Sequence, residues 1–83
     1  MLDVFPNPTK NSVTVHFKIE KQETISINIL NLFGEKVLEL FNSVSNEDDF
    51  NHYFDVGHLK PGSYILQVKR NNLISNRKLT IIH

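Results

Sequence analysis

The sequence predicts an all-β domain, a sandwich of seven short antiparallel strands. Apolar and polar side chains alternate along most of the 83 residues, which is the two-residue period of strands that bury one face. Short connections rich in Gly, Pro, Asn and Asp separate these runs at intervals of about eight to twelve residues. The leucines of ISINILNLFGEKVLELF can be fitted to helical spacing, but the β-branched residues of TISINI and Gly34 favour strands.

The first three strands are predicted in LDVF, SVTVHFKIE and TISINIL. In the second and third strands, every other side chain is apolar and lies on one face. The residues of this apolar face are Val13, Val15, Phe17, Ile19, Ile25, Ile27 and Ile29. The apolar phase then slips to Leu30 and Leu32, which predicts a bulge or a bend near Leu30.

The four later strands are predicted in KVLELF, FNHYFDV, GSYILQVKR and LISNRKLTIIH. The run KVLELF is apolar on both faces, which predicts a strand that is covered on both sides, at least in part. The other three runs alternate, and each has one face that is predicted to point to the core. These predicted core residues are Phe50, His52, Phe54, Val56, Tyr64, Leu66, Val68, Leu79 and Ile81.

Length and composition indicate one domain, residues 1–83, with a single core. The formal net charge is zero, so the chain has no electrostatic footprint for nucleic acid or anionic lipid. It has no cysteine, and no apolar run approaches the roughly 20 residues of a membrane span. The start MLDVFPNP lacks the pattern of a signal peptide. Export therefore requires a signal elsewhere, or Met1 begins a piece cut from a longer chain.

No group of residues has the spacing of a catalytic or metal site. His52 and His58 have no evident third ligand, which favours two structural histidines. The acidic run NEDD lacks the alternating ligands of a calcium loop. The scattered serines have no nucleophile-elbow context, and the glycines form no phosphate-binding loop. The sequence therefore predicts a protein that is not an enzyme and binds no metal or cofactor.

Pro6 and Pro8 flank Asn7 shortly before the first long strand. Proline fixes φ and removes a hydrogen-bond donor, so FPNPT is predicted to be a stiff, extended segment at the edge of the sandwich. The segment is predicted to end in a turn through Lys10 and Asn11. Asn11 is expected in a left-handed conformation, which asparagine tolerates better than most residues.

Two further turns are predicted from glycine positions. In LKPGSY, Pro61 and Gly62 predict a type II turn with positive φ at Gly62. Tyr64 follows, and its ring is expected to face the core with its hydroxyl near the surface. In NLFGEKV, Gly34 predicts a hairpin turn between two apolar strands. Physical chemistry alone describes both simply as good turns.

Taken together, VFPNPTKNSVTV, INILNLFGEKV, FDVGHLKPGSYILQVK and RKLTII resemble a known family. This family is the C-terminal sorting domain (type A) of the type IX secretion system of Bacteroidetes. The order and spacing are similar from end to end, so the resemblance covers essentially all 83 residues. The four motifs in this order are much more specific than any one of them.

The resemblance implies a fold, a function and partners. Such domains are immunoglobulin-like sandwiches at the end of cargo proteins that enter the periplasm through a separate signal. The type IX outer-membrane translocon recognises them. A sortase-like peptidase commonly removes them and links the cargo to anionic lipopolysaccharide at the cell surface. The resemblance places the recognition motifs on Pro6, Asn7, Pro8, Gly34, Gly62, Tyr64, Lys78, Leu79 and Ile81.

The chain departs from the family pattern at three places. The family often has glycine at the position of Asn11 and a basic residue at that of Glu35, and many members finish with a basic residue where His83 stands. Cleavage in this family falls before or near the start of the domain. The stiff FPNPT segment is therefore expected to separate the sandwich from an upstream linker and to hold that linker extended for the protease.

The predicted mechanism is recognition of the folded module by a partner. An exposed terminal strand offers unpaired backbone groups to which a partner can add a strand, and Lys78 can orient the encounter. The alternative is an immunoglobulin-like or fibronectin-like module that binds a glycan or a neighbouring domain. A sorting domain is the last domain of its reading frame, whereas a module of the alternative class can be followed by more chain.

Overall fold

The computed structural model describes residues 1–82, which form seven β-strands and no helix in two packed antiparallel sheets. The predicted seven-stranded, immunoglobulin-like sandwich is therefore confirmed. The strands are β1 (Asp3–Phe5), β2 (Ser12–Lys18), β3 (Glu23–Leu30), β4 (Lys36–Ser45), β5 (Asp49–Asp55), β6 (Gly62–Arg70) and β7 (Leu73–Ile81).

The strand order is β1-β2-β5 in the three-stranded sheet and β4-β3-β6-β7 in the four-stranded sheet. Strands β3 and β4 form one hairpin and β6 and β7 another, while the chain crosses between the sheets after β2, β4 and β5. Two of the central pairings, β2 with β5 and β3 with β6, therefore join strands that are distant in sequence. The edge strands of the four-stranded sheet are β4 and β7.

The core lies between the two sheets and consists of most of the inward side chains that the two-residue period predicts, while His52, Phe54 and Tyr64 are only partly buried. Phe17 and Phe50 meet edge to face at 4.7 Å between ring centroids, and Phe41 meets Phe50 at 5.0 Å. Burying a side chain of this kind contributes about 1.5–3 kcal/mol to folding. The buried apolar residues are Val13, Val15, Phe17, Ile19, Ile25, Ile27, Ile29, Phe50, Val56, Leu66, Val68, Leu79 and Ile81.

The β3–β4 hairpin confirms one prediction and corrects two. The register shifts between Ile27 and Asn28 and again between Ile29 and Leu30, as the phase slip near Leu30 predicted. Leu32, however, lies beyond the strand and is exposed. The prediction that KVLELF is covered on both sides holds only in part, because Leu38, Leu40 and Phe41 are partly buried against the core, whereas Val37 is 43% exposed.

Arg70 joins the two sheets at the end of β6. Its Nε and Nη2 atoms donate to Oε1 and Oε2 of Glu23 at 2.9 and 2.8 Å, and Nη2 also donates to the Lys18 carbonyl at 2.8 Å. The guanidinium lies 4.3 Å from the centroid of the Phe17 ring. Arg70 and Glu23 belong to the four-stranded sheet, whereas Phe17 and Lys18 belong to β2. This fork of hydrogen bonds therefore clamps one end of the sandwich.

The hydrogen bond from Arg70 holds the pKa of Glu23 below its ordinary value of 4.5, and the same bond raises the pKa of Arg70. A carboxyl whose pKa is lower in the folded state than in the unfolded state stabilises the fold above its unfolded pKa. That contribution is lost as the pH falls through the lower, folded pKa.

We expect Glu23→Gln to lower the free energy of unfolding near pH 7 by about 1–2 kcal/mol, because Arg70 loses a charged, bidentate acceptor. The difference between variant and wild type should shrink as the pH is lowered through 4.5 and below, where Glu23 becomes protonated in both states. Urea unfolding at several pH values measures both effects. Glu39→Gln is the control, because its ion pair with Lys36 is exposed and contributes little. A difference that stays constant with pH would contradict the role of the carboxylate charge.

Candidate functional site

One end of the four-stranded sheet collects the positions that the sequence motifs single out. Strand β3 ends at Leu30, which pairs with Ile65 of β6 and Lys36 of β4. Three residues before Ile65, β6 begins at Gly62, which pairs with Ile81, the last residue of β7. We call this side of the sheet, where β3 and β7 end and β4 and β6 begin, the motif end. The antiparallel register brings Gly34, Gly62, Tyr64, Lys78, Leu79 and Ile81 to it.

Residues 6–9, the proline segment, lie against the outer edge of β7 at the motif end. The Asn7 side chain donates from Nδ2 to the Lys78 carbonyl at 2.7 Å, and its Oδ1 accepts from the Thr80 N–H at 3.0 Å. Thr9 continues the contact as a parallel bridge to Ile81. Its N–H donates to the Thr80 carbonyl at 2.9 Å, and its carbonyl accepts from the Ile82 N–H at 2.8 Å. The proline segment therefore covers this part of the edge of β7.

The conformation of the proline segment differs from the prediction. Residues 6–8 form bends, so the segment is not extended. The Phe5–Pro6 and Asn7–Pro8 peptide bonds are cis. It also does not separate the sandwich from what precedes it, because β1 lies before it and pairs with β2. The proposed role in holding an upstream linker extended is therefore wrong. Sequence reasoning located the prolines but missed the partner of Asn7, which is more than 70 residues away.

The left-handed residue was also predicted at the wrong asparagine. Among residues 1–82, the non-glycine residue with positive φ is Asn71, at 53°. Asn71 lies in the β6–β7 turn, where its Oδ1 accepts from the Thr24 N–H at 3.0 Å. Asn11 instead accepts, through its backbone carbonyl, the N–H of Val56 at 2.8 Å. A hydrogen-bonded contact with the β5–β6 connection thus replaces the expected turn conformation.

Tyr64 ties the β5–β6 connection to the motif end. Its ring is half-buried and packs against the core, while its hydroxyl donates to the Lys60 carbonyl at 2.6 Å, as the predicted orientation requires. Gly62 has the predicted positive φ, 152°. The prediction of a type II turn at Pro61 and Gly62 is wrong. The hydrogen-bonded turn of this connection lies earlier, where the Leu59 N–H donates to the Val56 carbonyl at 3.1 Å. A hydroxyl that bonds back to the chain a few residues upstream is typical of immunoglobulin-like sandwiches.

The terminal motif divides into buried and exposed residues. The side chains of Leu79 and Ile81 are fully enclosed in the core. Lys78 is exposed on the outer face of the sheet, opposite Ile65. In the folded module, Leu79 and Ile81 therefore support the strand, and Lys78 is the motif side chain that a partner can reach. The terminal residue His83 lies outside the described residues.

The tip of the β3–β4 hairpin, residues 31–35, is held by a dense set of hydrogen bonds. The Asn31 Oδ1 accepts from the N–H groups of Phe33 and Glu35 at 2.9 and 3.0 Å, and its Nδ2 donates to Glu35 Oε1 at 2.8 Å. Gly34 has φ 85°, a conformation that glycine adopts without strain. The tip presents Leu32 and Phe33 to solvent, with Phe33 90% exposed. Sequence reasoning missed this pair, although two apolar residues between Asn and Gly in a turn are a visible signal.

His52 makes contacts that account for its place in the fold. Its ring stacks on Phe50 at 4.1 Å, and its Nε2 lies 2.9 Å from Glu47 Oε1. The hydrogen bond with His52, followed by one from Ser45, holds the pKa of Glu47 below its ordinary value. Residues 1–82 contain no group of three His, Cys, Asp or Glu side chains arranged to hold a metal ion, and they form no pocket.

Comparison with protein-family models shows the family to which this chain belongs. The family model of the secretion system C-terminal sorting domain matches residues 3–82. The chain belongs to this family. The sorting domain is thus a C-terminal signal for type IX secretion that directs export toward the cell surface through the type IX machinery, and its family points to a non-catalytic role.

A comparison with curated proteins found no match to the sorting domain. The part of the chain that the structure describes also contains no helix long and apolar enough to cross a membrane.

We expect Asn7→Ala to lower the free energy of unfolding by about 1–2 kcal/mol, because two hydrogen bonds to β7 are lost. The amide hydrogen of Thr80 should exchange about tenfold faster, since Asn7 is its acceptor. Hydrogen exchange followed by NMR measures this effect at a single residue. Asn72→Ala, in the exposed β6–β7 turn, is the control. An unchanged Thr80 exchange rate would show that Asn7 does not protect the edge.

Removing the hydroxyl of Tyr64 tests its bond to the Lys60 carbonyl. Tyr64→Phe should lower the free energy of unfolding by about 1 kcal/mol, which corresponds to a fall in Tm of about 4–8 °C for a domain of this size. Tyr53→Phe is the matched control, because Tyr53 is 72% exposed. Equal Tm values for the two variants would argue against a stabilising role of the Tyr64 hydroxyl.

Proposed function

We propose that the type IX outer-membrane translocon reads the sorting domain as a folded module as its cargo leaves the periplasm. In this proposal the translocon contacts the motif end, and a sortase-like peptidase afterwards removes the domain from the cargo that precedes it. The contact positions are the predicted ones: Pro6, Asn7 and Pro8 in the proline segment, Gly34 at the hairpin tip, Gly62 and Tyr64 on β6, and Lys78 on β7, with Leu79 and Ile81 beneath.

The convergence of separated motifs is the observation that supports this proposal. Asn7 and Lys78 are 71 residues apart in the chain and are hydrogen-bonded in the fold. Tyr64 pairs across the β6–β7 ladder with Leu79. A partner that contacts the motif end therefore reads a surface that exists only when the sandwich has formed. Recognition of a linear peptide would not require these residues to meet.

Strand addition, if it contributes, has to use the uncovered part of β7 or displace the proline segment. The N–H and C=O of Thr80 both bind the proline segment, so they point away from β6. By the alternation of an antiparallel ladder, the backbone groups of Ile74 and Asn76 point the same way. Beside these two residues the outer edge of β7 has no neighbouring strand in the described chain. This half of β7 is the part of the edge at which a partner strand can pair without competition.

Lys78 supplies an accessible positive charge to the proposed contact surface. It is exposed at the point where the proline segment meets β7, and its carbonyl is held by Asn7. A charge at the rim of an interface mainly changes the rate of encounter and its dependence on salt. Lys78 is therefore suited to orient the domain on an acidic surface of the translocon.

The experiment fuses residues 1–83 to a periplasmically targeted reporter in a host with a functional type IX system. Wild type should deliver the reporter to the cell surface, whereas Lys78→Glu should lower delivery several-fold or more. Lys69→Glu is the matched control, because Lys69 is exposed on β6 and lies toward the other end of the sheet. Surface labelling and cell fractionation measure the delivered and retained fractions.

Point variants are preferred to truncation after Lys78, since truncation also removes Leu79 and Ile81 from the core. The urea midpoints of both lysine variants should match wild type, which separates recognition from folding. Equal delivery by Lys78→Glu and Lys69→Glu would remove Lys78 from the contact surface. Retention of the wild-type fusion would defeat the proposal as a whole.

A further inference from the structure

We propose that Leu32 and Phe33 form an apolar prong that inserts into an apolar pocket of the protein that reads the motif end. This inference rests on the proposed function and adds a second contact to it. Phe33 is 90% exposed and Leu32 is 64% exposed. Their side chains therefore contribute little to the core of the sorting domain.

The hairpin tip holds the prong in a fixed position. The Asn31 side chain bonds the backbone on both sides of Gly34, through the N–H groups of Phe33 and Glu35. The backbone repeats this closure, since the Asn31 N–H donates to the Glu35 carbonyl at 2.8 Å and the Gly34 N–H to the Asn31 carbonyl at 3.0 Å. A backbone that is already fixed loses less conformational entropy on binding, so an aromatic residue on such a turn is well suited to anchor an interface.

The prong lies at the motif end of the sheet, together with the other motif residues. The tip follows the end of β3, and β6 and β7 lie one and two strands away in the sheet. At the spacing of neighbouring strands, this places the prong about 10–15 Å from the proline segment and Lys78. A single protein interface buries about 800 Å² on each partner and can include both.

A second copy of the chain does not offer a site for the prong. Residues 1–82 form no pocket that can receive an aromatic ring. The two side chains alone are also far smaller than the surface that a stable interface needs. The pocket therefore belongs to a different protein, and the motif end supplies the remaining contact area.

Charge at the tip argues against an anionic lipid surface as the occupant. Glu35 belongs to the hairpin tip, and the next charged residue, Lys36, lies 3.4 Å from Glu39 in an ion pair that offsets both of their charges. Glu35 therefore leaves one net negative charge at the tip that carries Phe33. Anionic lipid headgroups attract basic segments and not a tip of this charge.

The experiment uses the reporter fusion of residues 1–83 with variants matched for exposure. Phe33→Ser is compared with Tyr53→Ser, which is an exposed aromatic on the three-stranded sheet, and Leu32→Ser with Leu73→Ser, which has the same 64% exposure in the β6–β7 hairpin. Phe33→Leu retains an apolar side chain on the same backbone. Urea midpoints for all five variants should equal that of wild type, because none of these side chains is buried.

We expect Phe33→Ser to lower surface delivery about thirtyfold, as for an interface anchor, and Phe33→Leu to fall between it and wild type. Tyr53→Ser and Leu73→Ser should be delivered like wild type. Delivery of Phe33→Ser at the wild-type level would overturn the prong while leaving the proposed function intact. If the wild-type fusion itself is not delivered to the cell surface, both the proposed function and the role of the prong are refuted.

A vesicle-binding experiment distinguishes a protein pocket from a membrane surface as the site that receives the prong. The purified chain is mixed with vesicles of phosphatidylethanolamine and phosphatidylglycerol and separated by flotation. We expect neither wild type nor Phe33→Ser to float with the vesicles. Flotation of wild type and its loss in Phe33→Ser would assign the prong to the membrane surface and overturn the protein pocket.

Discussion

The hydrogen bonds of the proline segment to β7 are the contact on which the proposed site depends. They join residues near the start of the chain to its last strand. One edge of β7 pairs with β6, and Asn7 and Thr9 hydrogen-bond to part of the opposite edge. An edge strand without such cover is open to pairing with other chains. The same contact protects the covered half of β7 from unwanted pairing and assembles the motif end.

The motif end combines two kinds of residue with different tasks. Leu79, Ile81 and the ring of Tyr64 belong to the core or pack against it and hold β6 and β7 in place. Lys78, the proline segment and the exposed hairpin tip present chemistry to solvent. The core residues make the arrangement of the exposed residues possible, since the exposed residues have fixed positions only when β6 and β7 are paired. In the proposed recognition, a partner that contacts the motif end would therefore select a folded domain.

The sequence predicted the sandwich well because the two-residue period is a local property. Strands β2, β3 and β7 bury the residues that alternation assigned to the core, β6 buries Leu66 and Val68, and the slip near Leu30 is a true register shift. Alternation does not tell what covers the outer face of a strand, and for this reason the exposure of Val37 was missed. The conformation of residues 6–8 depends on Asn7 and a strand about 70 residues later, which no local pattern reveals. Exposure of Leu32 and Phe33 follows from the turn that Asn31 closes.

The short length of β1 has a mechanical consequence. β1 has three residues, pairs only with β2, and leads directly into the proline segment. A pull on the amino-terminal side of the chain therefore has little ladder to unzip before the load reaches Asn7 and, through it, the last strand. Tension from a bulky attached domain would thus be felt first at the contact between the proline segment and β7, and the rest of the sandwich would be spared until that contact breaks.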